Sequence, residues 1–208
     1  MTHATFDARR STAALEEILA PDGLAWSETE GESIELIPTP LDRQPSAYVQ
    51  TAWKDRRHGE VSRVIIQAVR NDDTLALRLQ WEASQPMRSI NDINAYADAC
   101  AILFPANGKQ ADLETMGSPE LPVVAWHWRA GTDLPFVVNA RGVGTVERAS
   151  EHAVQSRSRW SDGKWQVVFA RSLDSDQPIL AQGDEIPVAF AVWCGAVSER
   201  GGLKSHSP

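Results

Sequence analysis

Few residues of this chain stand where type and spacing would do chemistry. His3, His58, His127, His152 and His206 are scattered, and none has a second histidine or a carboxylate at metal-ligand spacing. His127, between Trp126 and Trp128, reads as a half-buried strand residue. There is no P-loop, G-x-G-x-x-G, H-E-x-x-H or G-x-S-x-G, and Ser or Cys hydrolysis lacks a base with an orienting group. Two cysteines, Cys100 and Cys194, exclude a disulfide framework, a Cys-rich zinc site and a cysteine-ligated iron–sulfur cluster, and read as buried thiols. Without C-x-x-C-H, a haem would be held without thioether links. Met116 lies in a Gly- and Pro-containing loop just before a tryptophan-rich strand; on spacing alone it is a core filler. Met87 stands in Gln85-Pro86-Met87. Lys204, on spacing alone, is a solvated tail lysine.

The elements that must position such residues are mostly strands. Ser11 to Leu19 predicts a short helix, with Ala14, Leu15, Ile18 and Leu19 on one face, stopped by Pro21-Asp22-Gly23. Ile34 to Ile37 is a short alternation ended by Pro38 and Pro40. Val61 to Val69 and Thr74 to Trp81 predict a hairpin across Asn71-Asp72-Asp73, with Leu75, Leu77 and Leu79 on one face. Asp98 to Phe104 is an apolar run. Val123 to Ala130 alternates, Val124, Trp126 and Trp128 facing one way and Ala125, His127 and Arg129 the other. His152 to Trp160, Trp165 to Arg171 and Ile186 to Trp193 complete the series. Residues 84–97 and 109–122 fit either loop or short helix. The pattern predicts a mainly β protein, an antiparallel sandwich or barrel with a few short helices.

Composition sets the outer bounds. With 208 residues, one domain over 1–208 is expected, residues 1–30 forming an N-terminal helix and extension. A hydrophobic share of 42% is globular. A net charge of −8 argues against a nucleic-acid partner but suits a basic protein. No run reaches the ~18 apolar residues of a membrane span. Met1 to Leu24 lacks a secretory apolar core, which leaves a cytoplasmic location, a removed signal or export with a partner. Eight Trp against two Tyr suggest a packed core or a flat ligand surface.

Several segments carry a resemblance in their order and spacing. They are Asp98 through Pro105, Met116-Gly117, Pro122 through Ala130, Trp165 through Arg171, Val188 through Gly195, and Glu199 through Ser205, with Ile37 to Pro40 and Gln44 to Ser46 upstream. The chain, over roughly Leu36 to Lys204, resembles the haem b-binding gamma subunits of type II dimethyl sulfoxide reductase family molybdoenzymes. That group includes ethylbenzene dehydrogenase, dimethyl sulfide dehydrogenase, selenate reductase and chlorate reductase. The resemblance implies an antiparallel β-sandwich holding one non-covalent haem b, with Met116 and Lys204 as the axial ligands of its iron. It implies an electron-transfer subunit that does no substrate chemistry itself. Its partners would be a catalytic molybdopterin subunit, an iron–sulfur subunit and an external carrier such as a soluble c-type cytochrome, and its location the periplasm. Two departures stand out: Cys194 occupies a place where an acidic residue is expected, and four residues follow Lys204. A thioether is a soft donor that favours Fe(II), and an amine coordinates only when neutral. The rival reading is a carbohydrate- or small-ligand-binding β-sandwich using tryptophans as a stacking surface; a third is a stand-alone haem protein.

Overall fold

The computed structural model describes residues 6–89, 94–108, 110–132, 134–150, 152–173 and 185–208. Its strands are β1 (Arg9–Arg10), β2 (Glu32–Glu35), β3 (Ile37–Pro38), β4 (Arg63–Arg70), β5 (Thr74–Glu82), β6 (Ala99–Pro105), β7 (Val123–Arg129), β8 (Phe136–Ala140), β9 (Glu147–Arg148), β10 (Gln155–Ser161), β11 (Lys164–Ser172), β12 (Ala189–Trp193) and β13 (Ser205–His206). The helices are α1 (Leu15–Leu19), α2 (Leu24–Ser27) and α3 (Ala47–Trp53).

Two sheets result. The first has the order β1-β4-β5-β11-β10, with β2 also on β4; the second runs β3-β13-β12-β6-β7-β8-β9. Pairing is antiparallel except between β1 and β4. The expected mainly β sandwich is therefore the observed architecture. The alternation of Ile34 to Ile37 is split: β2 joins the first sheet and β3 the second, with buried Leu36 between them donating its N–H to the Ser62 carbonyl, 2.9 Å.

Period-two patterning decides what faces inward. Val64, Ile66, Leu77, Leu79, Trp81, Trp165, Val167 and Phe169 from the first sheet meet Cys100, Ile102, Phe104, Val124, Trp126, Trp128, Phe190 and Val192 from the second. Six of the eight tryptophans (Trp26, Trp53, Trp81, Trp126, Trp128, Trp165) are buried, so most of the tryptophan content is core, not ligand surface. Trp128 and Trp165 meet edge to face at 4.9 Å across the two sheets.

The outer faces differ in their cover. On the first sheet, α1 and α2 place Ile18, Leu19 and Trp26 over Val69, Ala76, Val168 and Ala170. Helix α1 begins later than the expected residue 11, because the Ser11 N–H extends the β1 pairing to the Arg70 carbonyl and its hydroxyl accepts from Ala13 N–H. Helix α3 lies in a stretch with no expected helix; Ser46 caps it by accepting from Val49 N–H. The last long strand starts at Ala189 rather than Ile186, past Pro187, which has no N–H to give a ladder. Among the described residues, no helix contributes to the apolar cluster on the outer face of the second sheet. Its small apolar cluster of Ala101, Leu103, Ala125, Val138 and Ala191 is covered only by side chains and loops.

Candidate functional site

That outer face is a strip of small residues. Cross-strand register builds one row, Ile37–His206–Ala191–Ala101–His127–Phe136, and the next, Ala189–Leu103–Ala125–Val138–Arg148. In the first row two alanines separate two histidines, three strand steps apart or roughly 14 Å. The alanines are buried, and Phe136, Ala189 and Trp193 pack against them. His127 Nδ1 and His206 Nε2 are both buried and have no hydrogen-bond partner among the described residues. His127 is stacked on Phe136 at 4.3 Å and tilted against Trp193 at 5.0 Å. Burial, reinforced by Arg129, Arg148 and Lys204, lowers its pKa to about 4, so the ring is neutral near pH 7.

Lys204 borders one side of the strip. Its Nζ sits 5.6 Å from the centre of the Trp193 ring, and among the described residues it makes no ion pair. Burial pushes its ammonium down to about 8. The turn before it is held from three sides. Trp193 Nε1 donates to the Gly201 carbonyl (2.9 Å), Gln44 Nε2 to the Gly202 carbonyl (3.0 Å) and Thr39 N–H to the Lys204 carbonyl (3.0 Å). A Cβ at Gly202 would stand 2.0 Å from Gln44 Oε1, so a larger residue there would displace the Gln44 side chain that holds the turn.

Met116 lies in the loop that enters β7, at the Pro105 end of β6. Its backbone is left-handed (φ 60°), its N–H donates to the Leu113 carbonyl at 3.2 Å, and its carbonyl accepts from Gly142 N–H at 2.9 Å. Gly117 follows, bridged to Pro122, with no space for a side chain because Leu121 O would lie 2.5 Å from its Cβ. The Met116 loop and the Lys204 turn are linked by the ion pair of Arg43 with Glu114 and by Gln44. Both residues of that pair act electrostatically on His206, next to Lys204 in β13. The structure thus ties the segments bearing Met116 and Lys204 to each other through Arg43 and Gln44. Met87 is elsewhere: its N–H donates to Asp98 Oδ2 (2.9 Å) and its carbonyl accepts from Asp98 N–H (2.8 Å), at the opposite end of β6 from the Met116 loop.

Two buried carboxylates, not singled out from sequence, hold this frame. Glu199, 1% exposed, accepts from Gly59 N–H (2.6 Å), Glu60 N–H (2.9 Å) and Cys194 N–H (2.7 Å). Asp98, 2% exposed, accepts from Met87 N–H, Trp165 Nε1 (2.8 Å) and Gly195 N–H (2.9 Å). Burial raises both carboxyls, against the donated hydrogen bonds. They supply acid beside Cys194, where the sequence itself places none. Cys100 and Cys194 are free thiols; burial pushes Cys194 up to about 11. Among the described residues, no three His, Cys, Asp or Glu side chains gather to hold a metal ion, and no helix is long and apolar enough to cross a membrane.

A planar ligand with a metal centre would meet here a small-residue strip, the Lys204 amine beside Trp193, and a sulfur in the segment tied to the Lys204 turn by Arg43 and Gln44. Comparison with known proteins bears on the same residues. The profile of the ethylbenzene dehydrogenase family matches residues 24–152 and 135–205. A protein of Haloferax mediterranei named as a respiratory nitrate reductase heme subunit is 30% identical over 197 residues, 93% of this chain and 69% of that protein. Chlorate reductase subunit gamma of Ideonella dechloratans is 38% identical over 144 residues, 67% of this chain and 59% of that one. Dimethylsulfide dehydrogenase subunit gamma of Rhodovulum sulfidophilum is 26% identical over 193 residues, 88% and 70%. Among solved structures, a family 9 carbohydrate binding module of Caldicellulosiruptor kristjanssonii in complex with glucose superposes with a TM-score of 0.51 over 96% of this chain and 82% of that one. At 9% identity, that likeness is one of fold. The chain belongs to the ethylbenzene dehydrogenase family, among the gamma subunits of dimethyl sulfoxide reductase-type molybdoenzymes.

Proposed function

We propose that this chain is the haem b electron-transfer subunit of a molybdoenzyme complex, binding one non-covalent haem on the outer face of the second sheet between Met116 and Lys204. The observation that carries the reading is the tie through Arg43 and Gln44 between the segments bearing the Met116 thioether and the half-buried Lys204 amine, beside a strip of small residues. When bound, haem b supplies a reversible one-electron Fe(III)/Fe(II) couple. The chain's own residues do the rest. Met116 offers a soft donor that favours the reduced metal. Lys204, already lowered in proton affinity by burial, offers a neutral amine at little further cost. Held by both donors, the iron would have no position open to oxygen or substrate. Ala101, Ala125, Ala191, Leu103 and Val138 exclude water from the apolar part of the ligand.

In this reading electrons pass one at a time between an iron–sulfur subunit, itself joined to a catalytic molybdopterin subunit, and a soluble carrier such as a c-type cytochrome. We place the complex in the periplasm by the family resemblance; fractionation of the native host with activity markers tests this. The cofactor itself is tested by acid–acetone extraction of protein made with ample haem. One haem per chain that leaves with the solvent supports the proposal. A colourless protein, or a haem that stays with the chain, overturns it.

A further inference from the structure

The strip has a charged rim that neither Met116 nor Lys204 explains. On β7 the outward series Ala125, His127, Arg129 ends on an exposed arginine. On β9, Arg148 is in register with Val138 and so shares the outward face; its guanidinium lies 4.3 Å from the centre of the Phe136 ring, which stacks on His127. Both arginines act electrostatically on His127. Neither has a carboxylate partner among the described residues. Glu147, beside Arg148, is in register with Asn139 and faces the other way, and Glu114 near the Lys204 side is taken by Arg43. His127, two residues before Arg129 and stacked on the Phe136 ring that Arg148 covers, has a buried Nδ1 with no partner among the described residues. In a chain of net charge −8, these two exposed arginines without carboxylate partners among the described residues can take anionic oxygen from outside the chain.

We propose that Arg129 and Arg148 bind the two carboxylates of the planar ligand at the rim of this face. The inference rests on the haem reading of the same strip and extends it to the ligand's polar edge. An apolar macrocycle gains by lying over alanines, while its carboxylates keep their solvation at a wet, cationic rim. Arginine suits the task because its planar fork matches a carboxylate with two parallel hydrogen bonds.

The test compares haem b with its dimethyl ester, which has the same ring and no carboxylate charge, by Soret titration of the haem-free protein at low salt. The wild-type chain should prefer the free acid by about tenfold. Arg129→Gln and Arg148→Gln should each shrink that preference about threefold, and the double variant should abolish it. Arg157→Gln, on the other sheet and paired with Glu16, should leave it unchanged. Because the readout is a ratio of two affinities, a general loss of stability does not mimic it. Equal binding of both porphyrins by wild type, or an undiminished preference in the double variant, overturns the rim assignment while the haem reading stands. Failure of both porphyrins to bind overturns both.

Discussion

Met116 combines two properties that substitutions can separate: a sulfur atom and a left-handed backbone. At φ 60° a non-glycine residue carries about 1–2 kcal/mol of steric cost. Glycine removes that cost but takes back about 0.5–1 kcal/mol through its freer unfolded chain. Losing the half-buried side chain forfeits about 1 kcal/mol of apolar burial. Met116→Gly should therefore leave the haem-free chain within about 1 kcal/mol of wild type, since the gain and the two losses nearly cancel. Met116→Ala keeps the strain and loses the burial, so it should be less stable than the glycine variant. Met116→Leu keeps both strain and bulk and lacks only the sulfur. Urea unfolding of the haem-free proteins ranks their stabilities. Potentiometric titration of the haem-loaded proteins should show a lowered reduction potential in all three, because each removes the soft donor. A leucine variant with the wild-type potential would refute the ligand assignment. A glycine variant less stable than the alanine variant would refute the strain argument.

Three further outcomes follow from the same geometry. His127 takes up its proton near pH 6.5 when unfolded but only near 4 when folded, so stability is lost as pH falls from 6.5 to 4, by at most about 3 kcal/mol; His127→Phe should flatten that slope in acid denaturation, and an unchanged slope would show that the ring is not the source. Glu199→Gln should cost about 3 kcal/mol or more in urea unfolding, since one carbonyl cannot serve three N–H donors as a carboxylate does, whereas a midpoint within 0.5 kcal/mol of wild type, the scale of ordinary surface changes at ~0.5 kcal/mol, would mean the cluster relaxes around the amide. With a net charge of −8, electron transfer to a basic carrier should slow as salt rises, and a rate flat across ionic strength would count against electrostatic steering.

Much of the frame could be read from alternation along single segments. Leu77 and Leu79 inward, Trp126 and Trp128 inward, and Ala125 and His127 outward all follow from a period of two, a local property of the chain. Helix α3 had a readable signal in Ser46 after Pro45, but a run containing Tyr48, Val49 and Thr51 has mediocre helix propensity, and the cap outweighs it. What alternation could not supply is the pairing of distant segments. That Ala191, Ala101 and Ala125 form one strip depends on β12, β6 and β7 becoming neighbours. Asp98 meets Gly195 across 97 residues and Glu199 meets Gly59 across 140, so neither carboxylate advertises its role locally. Arg148 was hidden for the same reason: a two-residue strand has no periodicity to read, and only its register with Val138 puts it on the rim. Met116 and Lys204 came from family resemblance rather than spacing, because a lone methionine and a lone lysine carry no pattern.

The central claim is that Met116 and Lys204 together close the coordination of a bound haem. Exposure of the reduced, haem-loaded protein to carbon monoxide tests this most directly, with absorption spectra recorded for wild type and Lys204→Ala. Wild type should keep sharp α and β bands and an unshifted Soret band, having no free position, while Lys204→Ala should take up carbon monoxide and shift its Soret band. Ready carbon monoxide binding by wild type, or a Lys204→Ala protein that still refuses it, would contradict the account.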